Sequence, residues 1–222
     1  MKQYHKIQTL FKREKSKGKS ASFAAGKIII GTYADPVFRY LQSCEWVFDE
    51  KVDGTNIRIM YDGQDLKYGG KSDRAMLPPK LLERLHERFD DQLERFRDRF
   101  ARDADDDRPV EICFYGEGHG KGIQKVGYQY RDDQDFVLFD IKIGHWWLTR
   151  EAIEGIAGEF DIPVVPIVGR GTICNMIDLV EGGFQSAYGD FVAEGVIARP
   201  SVRLQQANGG RIITKLKVVD FE

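Results

Sequence analysis

Eight short runs rich in β-branched and aromatic residues, with Gly or Asp at their ends, do most to limit what this chain can become. They lie at residues 45–51, 56–61, 66–69, 110–115, 136–143, 164–168, 191–198 and 211–220. Runs of that length and composition read as strands, and Tyr61-Asp62-Gly63-Gln64 reads as a hairpin turn between two of them. One segment has a different period. Across 79–100, apolar residues at Leu81, Leu82, Leu85, Phe89, Leu93, Phe96 and Phe100 step by three and four onto one helical stripe. Pro79 suits a first turn, and Glu83, Arg84, Glu87, Arg88, Glu94 and Arg95 suit the wet side. The spacing predicts one long helix over 79–100 and shorter helices over 150–160 and 175–181. Strands with inserted helices define an α+β fold.

The 222 residues suffice for one large domain or two small ones, and 42% hydrophobic with 31% charged residues reads as soluble and globular. No apolar run approaches a membrane span, and the first twenty residues lack the apolar stretch of a signal peptide. Cys44, Cys113 and Cys174 form neither a CxxC pair nor a zinc pattern, so reduced thiols in a cytoplasmic protein are expected. A net charge of −2 and a pI near 6.1 give no bulk support for nucleic-acid binding. The distribution is uneven, however. Residues 12–20 hold five basic side chains and one acidic one, a run that either tracks a phosphate backbone or merely solubilises, and the acidic run 103–107 reads as a solvated loop.

Several residues sit where side chains of their kind are unusual. Lys51 closes the apolar run WVFDE and is followed by Asp53-Gly54. A lysine held at a strand end beside other cations can shed its proton and act as a nucleophile, although a lone KxDG is common on surfaces. Gly116, Gly118, Gly120 and Gly122 fall at every second position, which would let backbone approach a ligand and leave Glu117 prominent; a flexible glycine hairpin is the plainer reading. No Walker loop and no GxGxxG occurs. Residues 135–141 alone read as a buried strand. Glu194 beside Gly195 in an apolar run needs a cation. Lys215 and Lys217 alternate onto one face about 7 Å apart and repel unless an anion lies between them, for which a polyphosphate is suited. His5, His86, His119 and His145 show no ligand spacing, and Trp146-Trp147 reads as half core, with one ring able to stack on a base.

The order KVDGTN (51–56), FYGEG (114–118), DFVLFDI (135–141), EGVIARP (194–200) and KLK (215–217) resembles motifs I, III, IIIa, IV and V of the covalent nucleotidyltransferases, the superfamily of DNA ligases, RNA ligases and mRNA capping enzymes. The upstream IQTLFKR (7–13), Asn56 five residues after Lys51, and YGEGHGKGIQK (115–125) resemble the phage-type, RNA ligase 2-like branch. That resemblance implies antiparallel sheets with flanking helices in an ATP-grasp-like adenylation domain. It also implies an ATP-dependent RNA ligase working with Mg²⁺ or Mn²⁺ on RNA ends or a nicked duplex. By position, Lys51 would attack the α-phosphorus of ATP, and Lys215 and Lys217 would clamp the α-phosphate. Glu50 would hold the adenine edge, Phe139 would stack on adenine, and Glu117 would bind the ribose. Glu194 would hold the metal, with Asn56 helping through water. Lys71 or Arg74 matches the basic motif that follows motif I.

The resemblance implies a single adenylation domain over 1–222, with 1–20 as a basic N-terminal extension. Only five residues follow Lys217, so neither the OB domain of DNA ligases and capping enzymes nor the usual C-terminal domain of this RNA ligase branch is expected. Strand grip would then come from the basic run or from a partner protein. Two other functions compete: a minimal DNA ligase, and a nucleic-acid-binding module that has lost catalysis. The five intact site residues Lys51, Glu117, Glu194, Lys215 and Lys217 speak against the latter.

Overall fold

The computed structural model describes residues 3–14, 26–100 and 111–222. In chain order the strands are β1 (Gln8–Thr9), β2 (Phe11–Arg13), β3 (Ile28–Tyr33), β4 (Trp46–Glu50), β5 (Thr55–Tyr61), β6 (Leu66–Gly69), β7 (Ile112–Gly120), β8 (Gln134–Ile143), β9 (Trp146–Trp147), β10 (Ile167–Gly171), β11 (Gly195–Pro200) and β12 (Thr214–Lys217). The helices are α1 (Pro36–Tyr40), α2 (Pro79–Phe89), α3 (Leu93–Arg99), α4 (Arg150–Glu159) and α5 (Ile173–Glu181). The fold is α+β. The chain forms two compact units, Met1–His5 with Asp53–Val165, and Lys6–Val52 with Pro166–Glu222.

In the first unit, β6-β5-β7-β8-β9 form an antiparallel sheet. One face carries Ile57, Ile59, Phe114, Phe136, Leu138 and Ile141, buried beneath α2, α3 and α4 through Leu81, Leu85, Phe89, Phe96, Ile153 and Ile156. Burying each such side chain contributes about 1.5–3 kcal/mol. The long helix expected over 79–100 is broken. α2 ends at Phe89, a tight 3₁₀ turn spans Asp90–Gln92, and α3 resumes at Leu93. The side-chain amide of Gln92 bonds the Arg88 carbonyl at 2.8 Å, the acceptor that an unbroken helix assigns to Gln92's own N–H. The apolar stripe survives the break, with Phe96 meeting Phe160 at 4.3 Å between ring centroids.

Gly116, Gly118 and Gly120 lie on the continuous strand β7, Gly122 lies in the turn beyond it, and the first two serve the core. A Cβ at Gly116 would lie 2.3 Å from the Phe136 ring, and one at Gly118 would lie 2.4 Å from Leu81 Cδ2. The close approach expected for a ligand is thus taken by the unit's own apolar side chains. Alternation sends Tyr115, Glu117 and His119 to the opposite face. His119 is buried, with Tyr130 6.0 Å away. Burial pushes its pKa below the ordinary 6.5, and Arg131 adds to this against the Glu117 backbone, Asp135 and Asp133. The unfolded chain therefore binds the extra proton first as pH falls. This part of the stability is present above pH 6.5 and lost on acidification below it. Melting curves of the protein and of His119→Gln between pH 5 and 8 test this. The variant should show a flatter decline, and identical profiles would refute the assignment.

In the second unit, β1-β12-β11-β4-β10 form a sheet, antiparallel except for the parallel β1–β12 pair. Trp46, Phe48, Val196, Ala198 and Leu216 are buried against Ile173, Met176 and Val180 of α5. Thr172 and Asn175 cap that helix reciprocally. Leu10 and Phe11 are buried in the same core, and Arg13 is paired with Asp220 and bonds the Gly26 carbonyl at 3.2 Å. The described part of the N-terminal extension is therefore built into the fold, while residues 15–20 and the acidic run 103–107 lie outside the described residues.

Three expected strands end differently, and for the run at 191–198 the strand formed is β11, Gly195–Pro200. The run at 164–168 is divided between the units at Val165 and Pro166, where proline has no N–H to offer a ladder. The run at 211–220 turns after Lys217, whose N–H donates to Asp220 Oδ2 at 3.0 Å and closes a 3₁₀ turn.

Candidate active site

Lys51 lies one residue past β4, and its N–H donates to the Gly195 carbonyl at 2.9 Å. Gly195 in turn pairs with Lys217 across β11 and β12. Lys51, Gly195 and Lys217 thus form one row across the sheet, and the middle residue has no side chain. Glu194 joins the two amines. Its carboxylate accepts from Lys51 Nζ on one oxygen and meets Lys217 Nζ at 2.5 Å on the other. The three side chains are largely shielded, at 20%, 15% and 32% relative exposure for Lys51, Glu194 and Lys217. Sequence reasoning put cations around Lys51 and a polyphosphate between lysines. The structure puts a carboxylate between two amines, which offsets their repulsion and leaves the group net positive. Lys215 is half-buried on the same face of β12, opposite Ile197.

The adjacent carboxylates of β4 both find donors. Glu50, 1% exposed, accepts from Ser186 Oγ at 2.5 Å and from the Ala187 N–H at 2.8 Å. Asp49 pairs with Arg199 at 2.5 Å. Two acids in a five-residue buried strand announce that donors must exist, because an unsatisfied buried carboxylate is too costly. The donors to Glu50 stand 136 and 137 residues later in the chain, which is why Ser186 and Ala187 escaped the sequence reading.

The remaining predicted residues lie on the first unit. Asn56 pairs with Glu117 across β5 and β7. Asn56 Oδ1 is buried with no hydrogen-bond partner among the described residues. Phe139 is the extra residue of a β-bulge, since Tyr115 pairs with Asp140 and Gly116 with Leu138. Its ring meets Tyr4 edge-on at 5.0 Å, and Tyr4 Oη donates to Asp140 Oδ2 at 2.8 Å. Lys71 and Arg74 are both exposed, on the turn after β6.

Among the described residues, no three His, Cys, Asp or Glu side chains cluster as a metal cage. The Glu194 carboxylate on the second unit and, separately, the Asn56 Oδ1 on the first are hard oxygen donors of the kind that Mg²⁺ or Mn²⁺ take beside phosphate oxygens and water. The donor chemistry of each suits such an ion.

The family model for RNA ligase matches residues 44–217. The chain belongs to the RNA ligase family. No curated protein sequence matches it. Among solved structures, it is similar to an unliganded RNA ligase variant from Naegleria gruberi, with a TM-score of 0.61, 15% identity, and coverage of 84% of this chain and 53% of that one. A variant of the same ligase with ATP and Mn gives a TM-score of 0.61 at 15% identity over 82% of this chain and 51% of that one. The ligase with pyrophosphate gives 0.61 at 16% identity over 82% and 52%. These likenesses show that the chain shares its fold with those structures. The chain spans about half the length of the Naegleria protein. No helix among the described residues is long and apolar enough to cross a membrane.

Proposed function

We propose that this protein is an ATP-dependent RNA ligase whose nucleophile is Lys51, working within one adenylation domain. The observation that carries the reading is the Lys51–Glu194–Lys217 group, in a chain of the RNA ligase family. Lys51 gives up a proton to solvent, and its neutral Nζ attacks the α-phosphorus of ATP, releasing a second proton to solvent as the phosphoramidate forms. An N–P bond forms, the bond to the β-phosphate bridging oxygen breaks, and pyrophosphate leaves with its electron pair. A 5′-phosphate oxygen of an RNA strand then attacks the same phosphorus, returning the lysine and leaving a 5′–5′ pyrophosphate. A 3′-hydroxyl attacks the strand's phosphorus, loses its proton, and expels AMP as the phosphodiester forms.

Lys215 and Lys217 neutralise charge building on the α-phosphate oxygens. Phe139 offers its ring face to adenine and Glu117 takes the ribose hydroxyls. Glu50, held rigid by Ser186 and Ala187, sits beside the nucleophile for the adenine edge. Lys71 or Arg74 meets phosphate oxygens. Glu194, with Asn56 through water, would hold Mg²⁺ or Mn²⁺, and that ion supplies charge neutralisation at the phosphates. The exposed Lys12, with the basic residues that follow it, or a partner protein, supplies further strand grip. Three free cysteines are in keeping with a cytoplasmic setting.

Incubation with α-labelled ATP, followed by a panel of nicked and single-stranded 5′-phosphorylated RNA and DNA, tests the reading. Acid-labile label on the protein and sealing of RNA ends are expected. Label without sealing of any RNA, or sealing confined to deoxyribose ends, would replace RNA ligation with another activity. Lys217→Ala should cut labelling by about 10²-fold or more while the melting curve stays close to that of the parent. Normal labelling in that variant would remove Lys217 from the mechanism.

A further inference from the structure

Arg58 has no place in the chemistry above, yet it is a fully buried cation, at 0% exposure, on the face of β5 that also carries Asn56. Two of its nitrogens reach the turn that follows β6. Nε donates to the Gly70 carbonyl at 2.6 Å, and Nη2 pairs with Asp73 Oδ1 at 2.9 Å. Both contacts fall on the turn Gly70-Lys71-Ser72-Asp73-Arg74. The turn is closed by the Ala75 N–H on the Ser72 carbonyl at 3.1 Å, and Leu77 packs onto the core just beyond it. A Cβ at Gly70 would meet Ala75 Cβ at 3.0 Å, so the two ends of the turn lie against each other. Between these fixed points the outward side chains are Lys71 and Arg74, and neither makes a hydrogen bond or ion pair among the described residues.

Burying a guanidinium is costly, and a surface turn does not need one to be stable. A planar, two-pronged donor does fix an orientation, which one backbone hydrogen bond cannot. We infer that Arg58, through Asp73, is a positioning residue that holds Lys71 and Arg74 aimed at phosphate oxygens. The inference rests on the ligase reading and assigns it a residue that no motif contains. The phosphates belong either to ATP or to the 5′-phosphorylated strand, and the two steps of the reaction separate these sources.

Asp73→Ala releases the turn; because it also takes a carboxylate from buried Arg58, a thermal melt first establishes that the variant is folded. Arg58→Lys keeps the buried charge and loses the two-pronged hold. Both should raise the ATP concentration needed for labelling Lys51, or the strand concentration needed for transfer from preformed lysyl-AMP, by roughly tenfold. Amide exchange across 70–75 should quicken in Asp73→Ala, with the rest of the sheet unchanged. The deciding readout is coupling. In a Lys71→Ala/Arg74→Ala background, Asp73→Ala should have no further effect, since it acts only through those side chains. The inference is overturned by unchanged ATP and strand dependence in folded Asp73→Ala and Arg58→Lys. It is equally overturned if Asp73→Ala keeps its full effect in the Lys71/Arg74-less background, or if losing Lys71 and Arg74 changes neither step. An unsubstituted protein that never takes label would strike the ligase reading instead, and this inference with it.

Discussion

Lys51→Ala and Lys51→Arg are both expected to lose acid-labile AMP labelling entirely, a fall of about 10³-fold or more, with the fold retained. In the proposed mechanism the Lys51 amine forms the N–P bond: its residue closes the row with Gly195 and Lys217, and the amine is held by Glu194. Alanine removes the nucleophile. Arginine keeps the positive charge and the pairing to Glu194, but its guanidinium does not deprotonate and offers no lone pair. The arginine variant therefore separates chemistry from electrostatics. A role in charge balance alone would leave it near full activity, and that result would sink the covalent mechanism. Because the Lys51 side chain is partly solvent-accessible, at 20%, neither variant should melt far from the parent. Gel detection of label after acid and neutral quenches, beside thermal melts, decides the matter.

Gly195→Ala should be the most damaging single-methyl change in the second unit. Gly195 has φ +150°, a conformation that side chains rarely adopt. A Cβ there would lie 2.2 Å from the Leu216 carbonyl oxygen and 2.7 Å from Lys217 Cα, and both are backbone atoms of the neighbouring strand. They cannot swing aside as a side-chain tip can, so β11 and β12 must separate at the point where Glu194 and Lys217 meet. A loss of about 3 kcal/mol or more is expected, with labelling lost alongside it. Gly155→Ala or Gly158→Ala on α4 provides the contrast. An added Cβ meets nothing within 4 Å at either position, so each should stabilise by about 0.5–1 kcal/mol. Denaturant unfolding of the three variants tests the ordering, and a Gly195→Ala protein as stable as its parent would refute the packing argument.

Much of the molecule is written into its sequence because the relevant physics is local. Runs rich in β-branched and aromatic residues gave β4, β5, β6 and β8 to within two residues, and the stripe of Leu81, Leu85, Phe89 and Phe96 gave the buried helical face. The residue types and order of five motifs pointed to the family. What the sequence could not supply lies in contacts between distant segments. Lys51 and Glu194 are 143 residues apart, and nothing near either one says that a single carboxylate bridges two lysines. The alternating glycines looked like an opening for a ligand. Only the packed sheet shows that Phe136 and Leu81 occupy the space their missing side chains leave. The break at Asp90–Gln92 and the bulge at Phe139 are likewise set by what packs or bonds across elements, at Arg88 and Phe160 in one case and at Tyr115 in the other. Local preference names the elements and the reactive groups, because a residue carries its own chemistry and periodicity. Their pairing is decided by burial and by the need of every buried charge for a partner, and those conditions exist only once the chain has closed on itself.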